Sequence, residues 1–213
     1  MMDVLLLADL HGQYGKLESF QIYDYDAVII AGDITNFGPL EPVDSVLSSI
    51  EVPCFAVPGN CDPREIIDVL EHSDAVCLHN SWMALGKVTL AGIGGSNKTP
   101  FSTPFELSEE EIGTIMTRLV GAMEKNVHNV LLAHAPPYGA LDSVGDDHVG
   151  SQSIREHMNR FDLICCAHIH EARGVTDIDG VKVVNPGPAS EGYGALIHFG
   201  SEPKDIRIEL ITV

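Results

Sequence analysis

An apolar run, Val4 to Ala8, stops abruptly at Asp9 and His11, a carboxylate and an imidazole one residue apart. A buried strand has no reason to finish in two such groups unless something beyond its end engages them. The same ending recurs along the chain. Gly32-Asp33 follows Ala27 to Ala31, Gly59-Asn60 follows Cys54 to Val57, His134 follows Val130 to Ala133, and His168 and His170 follow Leu163 to Ala167. In open parallel sheets ligands bind beyond the carboxyl ends of the strands, so groups scattered over the chain would converge on one rim.

These side chains carry hard oxygen and borderline nitrogen donors, a set suited to Mn, Fe, Zn, Ni or Co rather than to the all-oxygen cage of calcium. Asp9, His11, Asp33, Asn60, His134, His168 and His170 are too many ligands for one ion. With one bridging carboxylate they supply four to each of two ions, so the count favours a dinuclear centre. Gly32 and Gly59 would let the backbone turn sharply and let an ion approach closely. Pro186-Gly187-Pro188 suggests another tight turn nearby.

Elements that could position such a rim are legible. The five apolar segments are too short for typical helices and read as buried strands. Between them Val43 to Ile50, Arg64 to Leu70 and Ile154 to Arg160 have helical spacing. In "SEEEIGTIMTRLVGAMEKN" Ser108 can cap a helix with Glu111 three residues on, and Ile112, Ile115, Met116, Leu119 and Met123 form its apolar stripe. Strand and helix alternate, which argues for βαβ units and a largely parallel sheet. Ser81 to Leu85, Val88 to Gly92, the two runs about Asp179-Gly180, and the alternation from Ile206 to Leu210 add β structure. A second sheet packed on the first is therefore expected, within one domain over residues 1–213.

Thirty-one acids against 12 Lys and Arg give a formal net charge of −19, which repels phosphate backbones and anionic lipid at long range. Extended nucleic acid and membrane surfaces are poor candidate partners, while a small phosphorylated substrate is not excluded, because bound divalent cations reverse the local field. The five cysteines show neither C-x-x-C spacing nor an even count, so reduced thiols are expected. No apolar run approaches a membrane span and the N-terminus lacks a signal-peptide pattern. The expectation is a cytoplasmic protein whose oligomeric state is open, a homo-oligomer being allowed.

Taken jointly, "DLH", "GD", "GNCD", "H" and "HIH" make the chain resemble the calcineurin-like metallophosphoesterase superfamily. "GDITNFGP" and "GNCD" are similar to its small archaeal and bacterial phosphoesterases. The resemblance implies a four-layer αββα sandwich, an α/β fold with two central mixed β-sheets flanked by helices. It implies two divalent ions, with Mn2+ expected and Ni2+, Co2+, Zn2+ or Fe2+ also fitting. Asp9, His11 and His170 would hold one ion and Asn60, His134 and His168 the other, with Asp33 bridging. A metal-bridging hydroxide would attack phosphorus, with Asp33, Asn60 and His134 the catalytic residues. A phosphodiesterase is expected, the alternatives being a phosphomonoesterase or a non-catalytic binding scaffold of the same fold. A nuclease is disfavoured by the charge.

Other residues carry weaker readings. Asn36, Asn97 and Lys98 are candidate phosphate contacts beside Asn60, the last two in the irregular Gly92 to Phe105 segment. Arg64 could clamp an anion, His148 could reach the site from the loop after His134, and Asp62 could support the ligands from behind. His72, His79, His128, His157 and His198 are read as packed or solvated.

Two positions depart from the family pattern: Cys61 stands where many members have a histidine, and Ala167 where they have glycine. In the family that histidine can protonate the leaving oxygen, a step for which general acids contribute roughly 10²- to 10⁴-fold. Cys61→His is therefore expected to raise turnover on phosphomonoesters, measured as kcat with a monoester of a poor leaving group. An unchanged or lowered rate at intact metal content counts against it.

Overall fold

The computed structural model describes residues 1–213. Along the chain come β1 (Met2–Leu7), β2 (Ala27–Ile30), α1 (Glu41–Ser48), β3 (Cys54–Ala56), α2 (Ile66–His72) and β4 (Val76–Cys77). Next are β5 (Ser81–Leu85), β6 (Val88–Ile93), α3 (Glu109–Ala122), β7 (His128–Ala133), α4 (Gln152–His157) and β8 (Leu163–Cys165). The chain closes with β9 (Gly174–Ile178), β10 (Val181–Asn185), β11 (Tyr193–Phe199) and β12 (Ile206–Thr212). They form two mixed six-stranded sheets, ordered β12-β11-β1-β2-β3-β4 and β9-β10-β8-β7-β6-β5. Strands β1 to β4 are parallel, and so are β6, β7, β8 and β10; β11 pairs antiparallel between β1 and the edge strand β12, and antiparallel β5 and β9 form the two edges of the second sheet.

Strand alternation explains why these segments are apolar throughout. In β1, Val4 and Leu6 face the other sheet with Leu90, Val130, Leu132 and Leu163, while Leu5 and Leu7 face outward onto Val43, Leu47, Ile66 and Leu70 of α1 and α2. In β7, Leu131 and Ala133 face Ile112, Met116 and Leu119 of α3 and Ile154 of α4. Three separate cores thus divide four layers, helix–sheet–sheet–helix, as the family resemblance implies. The capping box of α3 forms: Ser108 Oγ accepts from the Glu111 N–H at 3.2 Å, and the Ser108 N–H donates to Glu111 Oε2 at 2.7 Å.

Three corrections concern positions rather than types. Helices α1 and α2 each start and end about two residues away from the periodic pattern, because their ends are fixed by loops that return to the sheet. Tyr193 to Phe199, unassigned in the sequence reading, is a central strand with Val4 opposite Ile197. The rim is also not the edge of one sheet. Asp9, His11, Asp33 and Asn60 follow strands of the first sheet, and His134, His168 and His170 follow strands of the second. No helix is long and apolar enough to cross a membrane.

Leu6 is fully buried between the sheets. Leu6→Ala is expected to lower stability by about 2–5 kcal/mol through lost burial and the cavity left behind. Denaturant unfolding should show a lower midpoint at unchanged slope; a shift within error would mean that the two sheets close over the gap.

Candidate metal centre

Four of the seven candidate ligands sit in left-handed backbone conformation: Asp9 (φ 53°), His11 (φ 47°), Asp33 (φ 49°) and His168 (φ 73°). For residues with a Cβ this costs on the order of 1 kcal/mol or more each, and it persists where the surroundings over-determine it. Here the surroundings are backbone bonds between the strand-end loops. Asp9 and His11 donate their N–H groups to the carbonyls of Gly32 (3.0 Å) and Asp33 (2.8 Å). From the other side Ala189 N–H donates to Ala8 O (2.7 Å), and Ser190 Oγ donates to Asp9 O (2.9 Å). The Pro186-Gly187-Pro188 turn delivers these last two residues.

The glycines act differently from one another. Gly32 has φ 90°, and a Cβ on it would meet Gly59 N at 2.6 Å and His134 Nδ1 at 2.7 Å. Gly59 has no positive φ; a Cβ there would overlap the backbone nitrogen and carboxylate of Asp33. Gly59 is required by the close approach of Asp33 and not by a sharp turn, which corrects the sequence reading.

The donor atoms face each other without donors between them. His11 Nε2 and His170 Nε2 are 3.3 Å apart; His170 Nε2 lies 3.6 Å from Asp9 Oδ1, and His11 Nε2 3.7 Å from Asp33 Oδ2. On the other flank His134 Nε2 lies 2.8 Å from Asn60 Oδ1 and 3.5 Å from Asp33 Oδ1. Asp9 is fully buried, and neither carboxylate oxygen has a hydrogen-bond partner. His134 Nδ1 lies 2.8 Å from the carbonyl of Ala31. A neutral ring that donates there turns the Nε2 lone pair toward two oxygens. Lone pairs aimed at lone pairs in a buried site, together with an orphaned carboxylate, fit divalent cations at both flanks.

Titration behaviour agrees at Asp9 and His168. Burial alone would raise the Asp9 carboxyl, but the approach of His170 and the fields of His134, His170 and His11 outweigh it and hold the pKa below 3.8. The Asp9 carboxylate in turn raises His170. His168, though not fully covered at the surface, is pushed down to about 3 by burial and then by His134, whose ring centroid is 5.1 Å away. A ring held neutral keeps its lone pair for a cation.

A family model described as calcineurin-like phosphoesterase matches residues 2–172 of this chain. Protein MJ1162 of Methanocaldococcus jannaschii is 38% identical over 203 residues, covering 89% of each chain. The crystal structure of TT1561 from Thermus thermophilus is similar at a TM-score of 0.74 and 20% identity, over 99% of this chain and 98% of that one. A dimetal phosphatase from Danio rerio is similar at 0.65 and 11%, over the same shares.

The structure brings all seven candidate ligands to one rim, and it places the remaining candidates variously. Asn36 and Lys98 are exposed. Asn97 is engaged, its amide donating to Val149 O at 3.0 Å. Arg64 donates to Glu106 O (2.9 Å) and stacks 4.5 Å over Phe105, so its guanidinium serves the loop. Cys61 donates its N–H to Asp33 Oδ1 at 2.7 Å, and its thiol lies in the group formed with His11 and Asp33.

Two supports stand behind the ligands, and the sequence reading named only one of them, Asp62. Thr103 Oγ1 accepts from Asn60 Nδ2 (3.1 Å) and donates to Glu106 Oε1 (2.9 Å), which turns the Asn60 oxygen inward. The signal was present: Thr103-Pro-Phe-Glu106 has the S/T-x-x-E spacing of a capping box, used here to close a loop. Asp62 is the other. Buried completely, it accepts from the N–H groups of Ile34 (3.1 Å), Thr35 (2.7 Å) and Gly59 (2.8 Å) and from Thr35 Oγ1 (2.9 Å), tying the Asp33 loop to the Asn60 loop.

Burial, then the charge of Asp33, pushes Asp62 up to about 6. Raised above its unfolded value, Asp62 adds stability that is full below pH 3.8 and lost as pH rises through about 6. At neutral pH its worth is organisational. Asp62→Ala strands three buried N–H donors, and the expected outcomes are a loss of ~2–4 kcal/mol in unfolding free energy and a ~10- to 100-fold weaker metal affinity. Calorimetric metal titration of the folded variant checks the second; unaltered affinity would show that the two loops hold themselves.

Proposed function

The chain belongs to the calcineurin-like phosphoesterase family, a family of dimetal phosphoric ester hydrolases, and on that premise we propose that it is a phosphodiesterase acting on a small phosphorylated substrate. The observation that carries this reading is the carboxylate of Asp33, whose two oxygens face separate groups, Oδ2 toward His11 and Oδ1 toward His134. Asp9, His11, His170 and Asp33 would hold one ion, and Asp33, Asn60, His134 and His168 the other, with Mn2+ the expected metal. Bound there, two divalent cations would supply Lewis acidity to the phosphate and lower the pKa of a water so that it loses a proton and becomes the nucleophile.

The chain's own residues do the rest. Asp9 sets the negative charge of the inner flank. His134, fixed through Nδ1 by Ala31 O, and Asn60, fixed through Nδ2 by Thr103, orient their inner atoms without having to rearrange. Asn36 and Lys98 are the exposed polar groups proposed for the outer phosphate oxygens, with Asn97 holding the loop that carries Lys98. The preference for a diester rests on the surroundings of Asn60 and Cys61. Phe37, 58% exposed, donates its N–H to Cys61 O at 2.9 Å, and Phe101, 81% exposed, lies two residues before Thr103. The open Phe37 ring, whose backbone is tied to the Asn60-Cys61 turn, would give the second ester group an apolar surface. Residues 1–213 are read as one catalytic unit, because β11 and β12, beyond the matched segment, complete the sheet that carries Asp9. The same reading places the protein in the cytoplasm with no membrane partner.

The test is hydrolysis of bis(p-nitrophenyl) phosphate and p-nitrophenyl phosphate by metal-stripped protein resupplied with Mn, Ni, Co, Zn or Mg. Turnover is expected only with metal and faster on the diester, and Asp33→Asn is expected to lower it by ~100-fold or more. A folded protein inactive with every ion would point to a binding scaffold.

A further inference from the structure

The segment from His134 to Ser151 carries a second arrangement of titratable groups that the metal centre does not use. Asp142 is fully buried. Its Oδ2 accepts from the N–H groups of Gly139 (2.9 Å) and Gly150 (3.0 Å), and its Oδ1 lies 2.7 Å from His148 Nδ1. His148 leaves 45% of its side chain exposed, and Tyr138 supports the ring at a centroid distance of 5.5 Å. A carboxylate only accepts, so Nδ1 carries a proton and Nε2, across the ring, faces away from Asp142. The chain thus holds a solvent-facing imidazole in fixed orientation on a buried acid.

This hairpin belongs to the rim. It leaves the second sheet directly after His134, and its first arm, Ser143–Val144, packs beside the His170–Ala172 turn. Its last arm is tied by Val149 O to Asn97, in the loop that orients Asn60. Of the ten histidines, four are candidate ligands, and the other five lack this combination. His157 is held by Ser153 O and Thr117, His128 is buried against Gly200 O, and His79 accepts from Gly94 N–H. His198 does pair with a carboxylate, Asp3, but at the amino end of β1, away from the site, and His72 bonds its own helix.

We propose that His148 donates the proton to the leaving oxygen of the ester, with Asp142 as its positioning residue, an assignment that rests on the phosphoesterase reading above. In that step the oxygen of water bonds to phosphorus as the bond from phosphorus to the leaving oxygen breaks. The electron pair of the broken bond goes to the leaving oxygen, which takes the Nε2 proton of the imidazolium while Nδ1–H stays on Asp142. The ring, left neutral, regains a proton at its exposed edge, and the proton lost by water balances it.

Leaving groups of different basicity separate this role from a structural one. With aryl methyl phosphates running from p-nitrophenol to unsubstituted phenol, His148→Gln in the metal-loaded protein is expected to lose ~100-fold on the phenyl ester and less than ~3-fold on the p-nitrophenyl ester. Asp142→Asn should show the same gradient in kcat with little change in KM. An equal loss across the series, or none, overturns the proposal. An independent readout is the 15N signal of His148 Nε2, which should move when inorganic phosphate is added to the metal-loaded protein. A signal that stays put overturns the proposal even if no ester is turned over. Failure of the phosphoesterase reading itself would show instead as an unsubstituted protein inert toward every ester with every metal.

Discussion

The structure is organised around a carboxylate that no hydrogen-bond donor in the chain satisfies. Asp9 is buried completely with both oxygens unpartnered, and leaving an ionised carboxylate without partners in a protein interior costs several kcal/mol. Around it the imidazole nitrogens approach one another and the oxygens of Asp33 and Asn60 instead of seeking donors. Such a cluster would relax outward if it could. It is held by backbone bonds that zip the Asp9 loop to the Asp33 loop, by the Pro186–Ser190 turn pressing from the opposite side, and by glycines where a methyl would force the loops apart. Cations bound to the folded chain would offset that cost, which would make metal affinity and global stability one linked quantity.

The site is a seam. The first sheet contributes Asp9, His11, Asp33 and Asn60 and the second contributes His134, His168 and His170, so the core between the sheets sets the distance between the two halves of the cluster. Asp33 sits where the halves meet. The supports follow the same division: Asp62 joins two loops of the first sheet, whereas Thr103 and Asn97 reach across from the loop after β6 to Asn60 and to the hairpin after β7. A net charge of −19 would be compatible with an anionic substrate because the acids of the rim converge where cations would bind.

Much of this was legible in the sequence, for a physical reason. Strands covered on both faces must be apolar along their whole length, so Val4 to Ala8 and its counterparts announce themselves, and the polar residues ending them have no packing reason to be there. The α3 capping box is local chemistry and was equally readable. What could not be read is what depends on distant partners. Tyr193 to Phe199 becomes a central strand through Met2 to Leu6, nearly the whole chain away. The division of the rim between two sheets is set by core packing that no local pattern records. Asn97 looked like a phosphate contact, but its amide is used by Val149, while the residue that touches Asn60 is Thr103, six positions on.

The pairing of β1 has a consequence for synthesis on the ribosome. One edge of this strand pairs with β2, which follows within thirty residues, but the other waits for β11, whose last residue is Phe199. At about 5–20 residues per second, that interval lasts roughly 10–40 s. Throughout it the nascent chain displays an unpaired edge on a strand that is apolar on both faces, the sort of surface that recruits chaperones or other nascent strands. The arrangement that closes the first sheet around Asp9 thus makes the production of this chain sensitive to translation speed and to chaperone supply, well before any metal or substrate is met.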